Sequence, residues 1–109
     1  MSMLKKENIF VNIPEKISEE VIEVLYSSDI IRIERIISEN HKSPEDFWYD
    51  QSENEFVIVL QGEGDILFDD GEILSLKKGD YCFIPAHKNH RVERTSDKER
   101  TIWLAVFYN

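Results

Sequence analysis

Two hydrophobic periods run along the chain. In the first third, Ile17, Val21, Val24 and Leu25 share one face at the 3.6-residue spacing of a helix. Ser18 stands before Glu19 and Glu20, residue types that suit an N-cap and a first helical turn. The pattern therefore predicts a short helix over "SEEVIEVLYSS", packed on the outside of a sheet, and a first strand over Asn8–Ile13. From Ile30 the period becomes two. "IIRIERIIS" reads as a strand, and a polar loop then runs from Glu39 to about Asn54. "EFVIVLQG" is the next strand, ending at Gly62. "GDILFDDGEILSL" is a hairpin turned by Asp70-Gly71. Strands over "DYCFIP", "HRVERTS" and "TIWLAVFY" complete the series. Short strands with frequent turns predict an all-β barrel or sandwich of antiparallel strands.

Two strands break the alternation. Phe56–Leu60 and Ile102–Tyr108 are unbroken apolar runs, so both of their faces should be covered. One cover is the barrel interior. A second subunit is the expected other cover, making the protein a homodimer; the chain's own N-terminal third is the alternative.

Composition narrows the function classes. The chain has 109 residues, enough for a single domain: residues 1–29 as the N-terminal strand and helix, residues 30–109 as the barrel. The net charge of −9 argues against nucleic acid and against anionic membrane surfaces, both of which call for a basic face. A small-molecule ligand remains the expected partner. Cys82 is the sole cysteine, so no disulfide and no thiolate metal site is expected, only a buried apolar side chain. The N-terminal residues lack the apolar core of a signal peptide, and no apolar run approaches the roughly 20 residues that span a bilayer, so a cytoplasmic protein is expected.

Candidate chemistry lies at polar positions in phase with inward apolar ones. Glu55 is in phase with Val57 and Val59, His90 with Val92, and Arg35 with Ile31, Ile33 and Ile37. A carboxylate and an imidazole that open two strands can meet at the barrel mouth, as part of a site for a divalent transition metal such as Fe, Mn, Ni or Zn.

At these residues the chain resembles the cupins. Gly79, Pro85 and His90 fit the second cupin motif, G-x5-P-x-G-x2-H-x3-N, with His87 at the usual glycine and Arg94 at the usual asparagine. Glu55 and Gly62 fit the second half of the first motif, G-x5-H-x-H-x4-E-x6-G. The resemblance implies a double-stranded β-helix, or jelly-roll barrel, with metal ligands at Glu55 and His90. The first motif's histidines fall at Trp48 and Asp50. Tryptophan does not ligate, which leaves Asp50, Glu55 and His90 as the metal set. Arg35, Trp48 and Gln51 are then candidate substrate contacts, Gln51 also offering an amide oxygen to the metal, and His87 and Tyr49 are candidate proton carriers. Without a metal, His90 simply hydrogen-bonds Glu55. His87 is alternatively a turn residue with positive φ, and His41 belongs to a solvated loop. Three functions follow: a metal-dependent enzyme on a small molecule, a metal-free binding module, or a dimeric regulatory protein with a vestigial pocket.

Overall fold

Eight strands form among residues 4–109, the part of the chain that the computed structural model describes; residues 1–3 of the expected domain lie outside it. They are β1 (Val21–Ser27), β2 (Ile31–Ser38), β3 (Asn54–Gln61), β4 (Glu63–Phe68), β5 (Ile73–Lys77), β6 (Tyr81–Ile84), β7 (His90–Thr95) and β8 (Thr101–Tyr108). All pairings are antiparallel. One sheet runs β1-β2-β8-β3-β6 and the other β5-β4-β7. The core between them holds Val57, Val59, Ile66, Phe68, Leu76, Ile84, Trp103, Ala105 and Phe107.

The N-terminal third corrects the sequence reading. No helix forms among the described residues, and Asn8–Ile13 forms turns and bends instead of a strand. The segment read as a helix is the edge strand β1, registered on β2 with Val21 opposite Ile37 and a bulge between Val24 and Tyr26. Its β-branched Val21, Ile22 and Val24 suit a pleated surface, and the free edge of β2 offers ladder bonds that an isolated helix of this length lacks.

The N-terminal segment is fastened across the outer face of the five-stranded sheet. The Arg35 guanidinium donates to the carbonyls of Ile9, Val11 and Asn12 and pairs with Glu23 at 2.7 Å. Arg100 donates to the carbonyls of Pro14 and Glu15. On this face Ile37 and Ile102 are fully buried, whereas Tyr81 and Phe83 at the β6 end are 59% and 63% exposed. The chain's own N-terminal third thus covers one end of the outer face and leaves the other open.

The inner face carries one tight contact. A Cβ built on Gly64 of β4 would lie 2.5 Å from two ring carbons of Trp103, so only glycine lets the indole lie flat against this strand. Gly64→Ala should displace Trp103 and cost about 1–3 kcal/mol by overpacking. Urea unfolding followed by tryptophan emission checks both effects. Gly71→Ala is the control. No atom lies within 4 Å of that Cβ, so only its positive φ of 92° resists the change, and the emission of Trp103 should not move.

Candidate functional site

At one end of the sandwich the inward residues stop being purely apolar. Glu55 is the second residue of β3 and His90 the first of β7, so each stands where its strand meets the mouth, in different sheets. The two are 7% and 5% exposed. His90 Nε2 lies 3.5 Å from a Glu55 oxygen, and His90 Nδ1 lies 2.9 Å from the Lys88 carbonyl. Both ring nitrogens thus face acceptors, and only the imidazolium donates to both. Burial disfavours the charged ring, but Glu55 and the Lys88 carbonyl outweigh that cost and raise the His90 pKa above its ordinary 6.5.

The loop before β3 completes the wall. Tyr49 N–H donates to the His90 carbonyl at 2.7 Å, and His90 N–H returns a bond to the Tyr49 carbonyl at 3.2 Å. This two-bond bridge stacks the Tyr49 ring on the His90 ring at 5.5 Å and 25°. Gln51 Nε2 donates at 2.9 Å to the same Glu55 oxygen, Oε1, that His90 faces. Burial raises the pKa of the Tyr49 phenol, and the carboxylates of Glu20, Glu55 and Glu34 add to the effect. The phenol therefore stays protonated.

These side chains open onto a cavity of about 90 Å³. Ile36, Val57, Ile66, Val92, Trp103 and Phe107 form its apolar wall, with Glu20 and Ile22 reaching it from the N-terminal side.

The chain can now be set beside known proteins. Residues 36–107 match the family model described as the cupin domain. The chain belongs to the cupin family. No curated protein matches this cupin. Among solved structures, it is similar to a candidate mannose-6-phosphate isomerase from Ralstonia eutropha JMP134, with 36% identity and a TM-score of 0.92, over 97% of this chain and 99% of that one. A cupin superfamily protein from Desulfitobacterium hafniense DCB-2 shares 22% identity at a TM-score of 0.73, over 88% of this chain and 83% of that one. An RmlC-like cupin from Desulfovibrio desulfuricans shares 16% at 0.73, over 95% and 96%. These last two show the fold.

Several expected site residues lie elsewhere in this cupin. Asp50 does not join Glu55 and His90: its carboxylate holds His87 Nδ1 at 2.8 Å, and both side chains are exposed at the rim. His87 has the positive φ expected at the family's glycine, 62°, and its N–H donates to the Gln51 carbonyl, which aims the ring outward. Arg35 does not line the cavity. Strand alternation puts it on the outer face, and Glu34 and Ile36 take the inward phase. Trp48 stands outside the cavity, beneath the Arg91 guanidinium at 5.9 Å. Tyr49, Gln51, Glu55 and His90 are the four that the structure brings together. Glu20, Glu34 and Trp103 also line the cavity and were not among the expected site residues, although Glu34 shares a phase with Ile36 and Trp103 with Ala105 and Phe107. Cys82 packs half-buried against the core, and burial followed by the charge of Glu55 pushes its thiol up to about 11, so it is no nucleophile at neutral pH.

Glu55→Gln should lower the His90 pKa, because the burial cost remains once the opposing charge is gone. A ring-proton NMR titration checks this. The linkage has a definite sign: a folded pKa above 6.5 adds stability that is complete below that pH and fades as pH rises through the folded value. Denaturation midpoints of the native protein should fall across that interval, and those of the Glu55→Gln variant should not.

Proposed function

We propose that this cupin is a metal-independent receptor barrel for a small polar molecule, held by the Glu55–His90 pair at the floor of its mouth. The observation that carries the reading is the orientation of His90. Its Nδ1 faces the Lys88 carbonyl at 2.9 Å and its Nε2 faces a Glu55 oxygen at 3.5 Å, so the histidine and the carboxylate can satisfy each other without a metal. Among the described residues, no group of three His, Cys, Asp or Glu side chains is placed to hold an ion. Transition-metal sites in proteins generally draw on three or more such ligands. The residues present therefore do not fit the metal that the family resemblance implies.

A ligand hydroxyl seated beside the pair would donate to the Glu55 carboxylate, while the Tyr49 hydroxyl and the Gln51 amide supply further polar contacts. The apolar wall formed by Val57, Ile66, Trp103 and Phe107 suits the carbon skeleton of such a molecule. The Ralstonia relative's name suggests a second reading, an isomerase for a phosphorylated sugar. Against it, among the described residues no lysine or arginine lines the cavity to receive a phosphate.

Elemental analysis of protein purified without an affinity tag tests the proposal. The expected result is less than stoichiometric Fe, Mn, Ni or Zn, with a melting temperature unchanged by chelator. Stoichiometric metal, lost in His90→Ala, would overturn it. The homodimer belongs to the same reading. Phe56, Tyr81 and Phe83 form an aromatic cluster on the uncovered end of the outer face, with centroids of 5.2–6.1 Å, the kind of patch a second copy covers. Sedimentation velocity at micromolar concentration should show a dimer that Phe83→Glu dissociates; a monomeric native protein would refute it.

A further inference from the structure

The lining of the cavity carries an unbalanced charge. Three carboxylates reach it, Glu20, Glu34 and Glu55. Glu34 is paired with Arg32 at 2.8 Å, and Glu55 is paired with His90 and held by Gln51. Among the described residues, Glu20 meets only a neutral group, the Ser38 hydroxyl at 2.6 Å. One negative charge at the cavity wall is therefore left without a cation. The phenol of Tyr49 registers this field, since all three carboxylates help to keep its proton in place. A second observation is independent of charge. Trp103 is 3% exposed and lines the same cavity, yet among the described residues its indole N–H has no acceptor. A buried N–H donor without a partner is costly and calls for an oxygen. The aromatic faces of Tyr49, Trp103 and Phe107 complete the lining, and the Arg32 guanidinium already sits over the Phe107 ring at 4.3 Å. Such faces attract organic cations.

We propose that the cavity selects a small organic cation, a protonated or quaternary amine that also carries a hydroxyl oxygen, and rejects phosphate esters. The cationic nitrogen lies against Glu20 and the aromatic rings, and the hydroxyl oxygen accepts from Trp103. This rests on the reading of the cavity as a receptor site and adds the chemical class of its ligand.

Choline, glycerol, inorganic phosphate and mannose 6-phosphate are the probes, each titrated at low salt. The readouts are the Trp103 indole N–H signal, assigned by comparison with a Trp48→Phe variant, and the His90 ring signals. The expected result is a saturable choline shift at both residues, weakened at least about tenfold by Glu20→Gln and by added salt. Ile22→Lys is the second variant. Ile22 lines the cavity from β1 and is 53% exposed, so a lysine there places an ammonium by Glu20 without removing the carboxylate, and it should also abolish the choline shift. Tighter binding of mannose 6-phosphate or phosphate would overturn the cationic class and leave the receptor reading standing. Glycerol binding more tightly than choline, unaffected by Glu20→Gln, would do the same. No shift from any probe would overturn both.

Discussion

A buried charge has to find its opposite, and in this barrel that requirement joins the two sheets. Glu55 belongs to the five-stranded sheet and His90 to the three-stranded one. Neither side chain reaches enough water to stand alone, and an ionised group in a low-dielectric site is strongly destabilising without a partner. Their contact therefore fixes how the ends of β3 and β7 face each other. The remaining parts of the mouth secure that contact. The Tyr49–His90 backbone bridge holds the entering loop against β7, Gln51 steadies the carboxylate, and the Lys88 carbonyl orients the imidazole. Removing one member would leave another polar group buried without its partner.

The apolar core and the polar mouth come from the same strands by simple alternation. On β3 the inward sequence is Glu55, Val57, Val59; on β8 it is Phe107, Ala105, Trp103. β3 supplies hydrocarbon to the middle of the barrel and a carboxylate near its mouth end, so the mouth gains its chemistry without interrupting the core. The rim is organised separately. The Asp50–His87 hydrogen bond sits in solvent and ties the loop before β3 to the turn before β7.

The strands from Ile30 onward were readable because period-two alternation and the Gly and Pro turns agreed with each other and with the final packing. The barrel's polar pair was readable for the same reason: Glu55 and His90 stood in phase with residues that could only point inward. The misreadings have identifiable physical causes. Ile17, Val21, Val24 and Leu25 fit a helical face as well as the segment fits a bulged edge strand, and the bulge between Val24 and Tyr26 spoils the alternation that would have distinguished them. Arg35 and Glu34 are adjacent charges on opposite faces of β2, and local sequence does not say which face has a use for an arginine; the three carbonyls of the N-terminal segment decide it. Asp50 was assigned by motif spacing, which fixes its position on the chain but not the direction of its side chain. Glu20 was read as a helix-dipole residue, and its role at the cavity depends on β1 being a strand.

The fastening of the N-terminal segment has an evolutionary consequence. Arg35 and Arg100 grip it almost wholly through main-chain oxygens, at residues 9, 11, 12, 14 and 15. Every amino acid supplies such an oxygen. Related chains can therefore vary the identities of these residues widely and keep the same path, provided the two arginines persist, so divergence should gather in the strap and spare its clasps.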